Sequence, residues 1–259
     1  MKEKCLWAWD LLIYHSTCAL RAEFNRYHLH FLWWFLEPML FLGTLYLVFG
    51  VFRQAAVPNY ALFLLTGLVI WQWFAKAVSH ATNSIYQSMR SFQQYKVSPF
   101  HFPLCVFMQD LMKTLPVFVV FFTVVAFLSP TPLSPVWFNI IPILLVEAIC
   151  IVGCSIFVAA IVPFLPDLSM LVPIIIRLLF FAAGIFYNIE DVVLPEHRMI
   201  LYSNPITLCI KEMREVLIYG QSPDWMLLGY GLLVSLVFLG LGCLMVRYCS
   251  AKYPRIINQ

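Results

Sequence analysis

The sequence predicts an all-α integral membrane protein, and three observations carry that prediction. Of its residues 62% are hydrophobic and 11% charged, against about 25% charged in an average soluble domain. No soluble core hides that much apolar surface. The apolar residues gather in six runs, each near the ~20 residues needed to cross ~30 Å of hydrocarbon. The basic residues divide unevenly between the loops that join those runs.

Residues 1–28 read as an N-terminal interfacial helix. Leu6, Trp9, Ile13 and Leu20 share roughly one helical face, with Lys4, Asp10 and Thr17 elsewhere. That is the pattern of a short helix lying in the membrane surface. It is no cleavable signal peptide, because Asp10, His15 and Arg21 break its apolar run and no small-x-small site follows. The stretch RAEFNRYHLHFLWWFLEP, residues 21–38, then organises the rest. It passes from basic to aromatic to apolar, with Trp33, Trp34 and Phe35 suited to the headgroup boundary. A chain enters a membrane in that order from the side rich in positive charge.

Six spans follow, over residues 31–52, 60–78, 104–128, 136–162, 169–187 and 225–246, and put both termini on one side. Lys2, Lys4, Arg21, Arg26, Arg90, Lys96, Arg247, Lys252 and Arg255 lie on that side, against Arg53, Arg198, Lys211 and Arg214 opposite. By the positive-inside rule both termini are cytoplasmic. Charges within spans are costly and seek protein or water. Asp110 and Lys113, three apart, are placed to pair on one helix face. Lys76 and Arg177 are near enough to span ends to snorkel. Glu37, before Pro38, is within reach of Arg21 or Arg26. Glu147 has no partner in sequence; it is protonated, paired across a dimer or lining a pathway.

The chain reads as one transmembrane domain, 1–259, with two connecting segments long enough to have a task. In the cytoplasmic segment 83–103, Ile85, Met89 and Phe92 recur at near-helical spacing. It is either a docking helix for a cytoplasmic partner or an ordinary basic inside loop. The external segment 188–224 is expected to hold an amphipathic helix. Asn204-Pro205 is a helix start and Gly220 a stop. Between them Leu, Ile, Val and Met recur at helical spacing, with Lys211, Glu212, Arg214 and Glu215 on another face. Such a helix either dips back into the membrane or rests on the bundle surface.

Several functions are excluded. There is no GxxxxGK[ST] motif, so no ATP site of the Walker kind, and no GxSxG or HExxH. The net charge of +3, without a Lys/Arg run, argues against nucleic acid. No metal site is expected. Cys150 and Cys154 share a face without a His or carboxylate beside them, and the cysteines read as small apolar residues. Only Cys209 falls in an external segment. His80, His101 and His197 are scattered and read as surface or interface residues. Asp191, Glu196, His197 and Arg198 come nearest to a polar catalytic cluster, the feature a membrane-embedded glycan-lipid enzyme would need.

Taken together, several stretches resemble the membrane subunit of polysaccharide-exporting ABC transporters, the group of capsule, O-antigen and teichoic-acid exporters. Arg26 to Pro38 is similar to the family's R(Y/F)-x-L-G-x-L-W-x-x-L-x-P signature, including the Trp-x-x-Leu-x-Pro spacing from Trp33. His30 stands where glycine is usual. Tyr46 to Phe49, Pro166-Asp167, Gly184 to Tyr187, Asn204-Pro205, Arg214 and Gly220 fall in the family's order.

The resemblance implies a homodimer of six-span subunits in the bacterial inner membrane, docked to two copies of a cytoplasmic ATPase. Docking would use the N-terminal helix and the 83–103 segment, through Tyr86, Met89, Arg90, Phe92, Tyr95 and Lys96. ATP and Mg²⁺ would belong to the ATPase, and this chain would hold no cofactor. A lipid-linked glycan would thread between the two copies, past a periplasmic gate of short re-entrant helices that includes Asn204, Pro205, Arg214 and Gly220. Sugar rings slide over aromatic platforms, and Trp33, Trp34, Tyr60, Trp71, Trp73, Phe186 and Tyr187 are the candidate lining, though aromatic belts claim many such residues. The alternatives are a drug or lipid exporter, the enzyme above, and a secondary transporter using Glu147.

Overall fold

In the computed structural model the described residues are 2–26, 30–52, 59–88, 98–129, 134–250 and 252–253. The order is α1 (Lys2–Arg26), α2 (His30–Leu45) continuing as a π-helix (Tyr46–Phe52), α3 (Tyr60–Ala81) and α4 (His101–Leu128). A 3₁₀ turn (Pro135–Asn139) leads into α5 (Ile140–Ile161), followed by α6 (Leu168–Ala182), α7 (Ile189–Val192), α8 (Pro195–Tyr202), α9 (Pro205–Leu217) and α10 (Trp225–Ser250). Among the described residues there is no strand.

Five helices are long and apolar enough to cross a membrane: Leu32–Phe52, Tyr60–Ser88, His101–Leu128, Pro135–Ile161 and Trp225–Ser250. The remaining predicted run, 169–187, is helical only over the 15 residues of α6. That covers roughly 22 Å at ~1.5 Å per residue. The helix stops because the chain turns at Ala183 and Gly184 takes a left-handed φ of 66°. A Cβ at Gly184 would also lie 2.8 Å from the Ile189 side chain.

The bundle is built around α3. Most of α3 is apolar, and such a surface has to be buried; the helix is enclosed by α2, α4, α5 and α9. Leu64, Leu68 and Ile70 share its core with Ile143, Ile151, Ile206 and Met213. The most extensive helix pair is α5 with α10. Glycine allows their approach: a Cβ at Gly153 would meet the Leu239 backbone nitrogen at 2.6 Å.

The segment 188–224, predicted to be external, behaves differently from its polarity. Asn204 caps α9 as predicted, its Oδ1 accepting the Ile206 N–H at 3.1 Å, and Gly220 follows the helix at φ 65°. Yet α9 packs against α3, α5 and α10, and Glu212 and Arg214 of its predicted polar face are buried. Both have partners there; the Glu212 carboxylate accepts the Asp224 N–H at 2.8 Å. Cys209, expected outside, is buried as well, with its thiol 3.8 Å from the Ile143 carbonyl.

At the opposite end α1 runs along α4, burying Leu12 and Ser16. Ile13, on the apolar face predicted for lipid, is left 45% exposed. Residues Ser84–Ser88 extend the third helix, and Ile85 packs with Ile156, Ala160, Val246 and Tyr253 at the ends of α5 and α10. Of the predicted coupling residues only Tyr86 is described, and it is exposed. Met89, Arg90, Phe92, Tyr95 and Lys96 lie outside the described residues.

Candidate functional site

A cavity of about 330 Å³ opens where α1, α2, α3 and α4 meet. Helical periodicity assembles its wall. Trp33, Trp34, Glu37 and Pro38 form one stripe of α2; Val69, Gln72, Trp73, Lys76 and His80 one stripe of α3; Asp110, Lys113, Thr114 and Val117 one stripe of α4. Residues three or four apart stack on a helix face, so each helix turns one polar edge to the same space. Glu23 arrives from α1.

The charges are paired across helices rather than along them. Lys76 Nζ reaches Glu37 at 2.7 Å, and Lys113 Nζ reaches Glu23 at 2.6 Å. His80 Nδ1 lies 2.9 and 3.0 Å from the two Asp110 oxygens. The predicted Asp110–Lys113 pair is therefore not what forms: each member finds a partner on a neighbouring helix. Glu37 is likewise held by Lys76 of α3. Three acids and three bases meet here, in a protein where unpaired charge is expensive.

Aromatic surface lies beside these pairs. Trp33 is 54% exposed. Trp73 is packed edge-on to Phe118 and stacked on Phe107. Its buried indole N–H has no acceptor among the described residues. Flat apolar platforms flanked by fixed donors and acceptors suit a polyhydroxylated ring, whose C–H faces stack while its hydroxyls hydrogen-bond. The size also fits, since ligand pockets run from about 300 to 1,000 Å³.

The other predicted aromatics sit elsewhere. Trp71 is buried against Phe74 and Phe180. Tyr60, Phe186 and Tyr187 form a cluster at the far end of α3. There the Tyr60 hydroxyl donates to the Phe186 carbonyl at 2.9 Å, and Phe186 stacks on Phe49 at 4.8 Å between centroids. The Tyr187 hydroxyl donates to the Phe181 carbonyl at 3.3 Å. Only Trp33, Trp34 and Trp73 share the cavity.

Beside that far cluster Arg214 forms a second node. Its Nη1 donates to the Gly184 carbonyl and its Nη2 to the Ile185 carbonyl, both at 2.8 Å. Nη2 and Nε both reach the Phe63 carbonyl, and the guanidinium carbon stands 3.4 Å over the Phe63 ring centroid. One side chain thus ties α9 to the start of α3 and to the turn after α6. Gly67 makes room for it: a Cβ there would lie 2.6 Å from Nη2. A cavity of about 290 Å³ adjoins this node, lined in part by Glu190, Tyr202, Lys211 and Glu215. Asn204, Pro205 and Gly220 act on α9 itself, setting its ends.

Two alternatives lose ground on geometry. The Arg198 guanidinium donates to the Val193 and Glu190 carbonyls, and Asp191 accepts from the Asn188 amide. The group around His197 is thus spent on local turns. Glu147 is fully buried within one chain, and neither carboxyl oxygen has a partner among the described residues. Sequence reasoning missed Glu23, His80, Asp110 and Lys113 as parts of one site, and Gly67 altogether. A signal for the first group existed in Lys76 and His80, charged residues one turn apart near a span end.

Both nodes lie within residues 20–218, the part of the chain that matches the family model described as ABC-2 type transporter. The chain belongs to that family. Among relatives of the ABC-2 chain, an O-antigen export system permease protein RfbA of Klebsiella pneumoniae is 32% identical over 93% of this chain and 90% of its own length. A further permease of that name, also from Klebsiella pneumoniae, is 30% identical over 85% of each chain. The polysialic acid transport protein KpsM of Escherichia coli is 22% identical over 88% of this chain and 89% of its own length.

Proposed function

We propose that this ABC-2 chain is the permease subunit of an ATP-driven exporter that moves a lipid-linked surface polysaccharide, O-antigen or capsule, across the bacterial inner membrane. Two copies form the path between them. Two copies of a separate cytoplasmic ATPase bind ATP and Mg²⁺ and supply the energy; this chain performs no catalysis. The cavity walled by Trp33, Trp34 and Trp73 beside paired carboxylates and amines carries the reading. It offers glycan-binding chemistry in a chain whose relatives bear O-antigen and polysialic acid names.

In this reading the short α6 completes a sixth crossing together with the turn that follows it, so both termini are cytoplasmic. The helices α8 and α9 are re-entrant and form the periplasmic gate, locked by Arg214. The helix α1 lies in the interface with Ile13 toward lipid, and the segment 83–103 docks the ATPase.

The test is export. In cells lacking the chromosomal copy, Trp33→Ala and Trp34→Ala variants that reach the membrane at normal level should export surface polysaccharide about tenfold more slowly together. Loss of that order corresponds to ~1.4 kcal/mol. Unchanged surface glycan in the double variant would instead favour a drug or lipid substrate. In a chain whose own cysteines are replaced, accessibility of cysteines introduced at residues 2 and 252 to an impermeant thiol reagent fixes the topology: labelling of only one in intact spheroplasts would remove the six-span arrangement, and labelling of both would remove the cytoplasmic placement of the termini.

A further inference from the structure

Away from both nodes, where α1 crosses the start of α4, three metal-ligating side chains converge. His101 and Cys105 are four residues apart on α4 and so share a face. The Cys105 Sγ lies 3.3 Å from His101 Nε2. His15 reaches them from α1, its Nδ1 3.2 Å from the same His101 nitrogen. All three ligand atoms lie within 4.8 Å of one another. His101 and Cys105 are buried, whereas His15 is exposed. The exposed edge gives an ion a way in.

We infer that His15, His101 and Cys105 form a zinc site that pins α1 to α4. Zinc takes imidazole nitrogen at about 2.0–2.1 Å and thiolate at about 2.3 Å in tetrahedral geometry. Ligands so arranged stand roughly 3.3 to 3.6 Å apart. The two contacts at His101, 3.2 and 3.3 Å, lie within about 0.3 Å of that spacing, and the ligand atoms of His15 and Cys105, within 4.8 Å of one another, close onto the same ion by side-chain adjustment. Two neutral imidazoles and a thiolate make a donor set matched to a borderline-soft ion, with water in the fourth position. Binding converts the Cys105 thiol to thiolate and releases its proton to solvent.

A side chain next to His15 already joins the two helices. Ser16 donates from Oγ to the Leu12 carbonyl at 2.8 Å and to the Cys105 carbonyl at 3.3 Å, joining the two helices around the ligands. The ion would fasten the N-terminal helix to the residue at which the chain returns from the 83–103 segment. That consequence does not depend on what is transported.

The full-length chain, purified in detergent, stripped with EDTA and titrated with Zn²⁺ against a chromophoric chelator, should bind a single ion. Cobalt in its place should give a tetrahedral visible spectrum with a thiolate charge-transfer band. His15→Ala, at an exposed position, should weaken zinc by more than the roughly 10–100-fold that loss of an outer-shell partner costs, with an unchanged melting temperature in EDTA. Cys105→Ser should abolish the charge-transfer band. A wild-type chain that takes up no zinc overturns the site, as does one whose affinity equals that of His15→Ala. Either leaves an imidazole pair joined by a hydrogen bond. If Cys105→Ser fails to fold, the cobalt spectrum of the unaltered chain decides: without a thiolate band, Cys105 is no ligand and the site falls.

Discussion

Arg214→Ala is expected to destabilise the protein by about 4 kcal/mol or more and to abolish export. The guanidinium serves three backbone carbonyls, those of Phe63, Gly184 and Ile185. Hydrogen bonds from charged groups are worth about 1.5–3 kcal/mol each, and a buried acceptor left unmade adds its own penalty. Loss of a buried network of this kind is one of the few routes to effects above about 4 kcal/mol. Arg214→Lys keeps the charge but not the planar fork that spans separate acceptors, so it should recover only part. Gly67→Ala attacks the same node from the other side, because the new methyl meets Nη2 at 2.6 Å. Overpacking of that sort costs about 1–3 kcal/mol. The pair should be non-additive, since removing the guanidinium vacates the space the methyl needs. Thermal unfolding in detergent of the two single variants and the double variant checks this. Strict additivity would mean that Gly67 and Arg214 do not act on one another.

How much of this was legible beforehand depends on the kind of signal. Long apolar runs gave the spanning helices, because hydrocarbon thickness imposes length on sequence directly. Local capping was equally readable: the Asn204 side chain and Gly220 need only their own neighbours to define the ends of α9. Partner choice was not readable. Lys113 and Asp110 satisfy the spacing rule for a pair on one helix, yet Glu23 and His80 claim them from sequence separations of tens of residues. The same limit hid the burial of Arg214, which spacing places on a polar face although α9 is buried. Its partners are carbonyls, which no side-chain pattern marks. It also hid the cluster of His15, His101 and Cys105, since His15 meets His101 only once α1 folds onto α4. In the run 169–187 hydropathy overestimated the helix, because apolar residues continue past a turn that Gly184 makes possible.

The second large effect is expected at the α5–α10 seam. Lipid tails are as apolar as the helices, so association within a membrane rests on close van der Waals packing between small residues. Gly153 and Gly242 supply that closeness reciprocally. A Cβ at Gly153 would lie 2.6 Å from Leu239 N and 3.0 Å from Leu239 Cα, and one at Gly242 would lie 3.0 Å from Gly153 O and Phe157 N. All of these are backbone atoms, which cannot swing aside as a side-chain tip would. Gly153→Leu therefore has to push the two helices apart along the most extensive contact in the fold, at a cost of at least about 3 kcal/mol. The separation would also loosen the cluster in which Ile85 packs on Val246 and Tyr253, carrying the damage to the beginning of the 83–103 segment. Gly240 and Gly229 lie on the same helix, and a Cβ added at either would meet nothing within 4 Å. Alanine at either removes a flexible residue from a helix interior and should be neutral or stabilising by up to about 1 kcal/mol. Melting temperatures of the three variants in detergent separate the cases. A Gly153→Leu protein as stable as Gly240→Ala would mean that the seam is not held by backbone proximity.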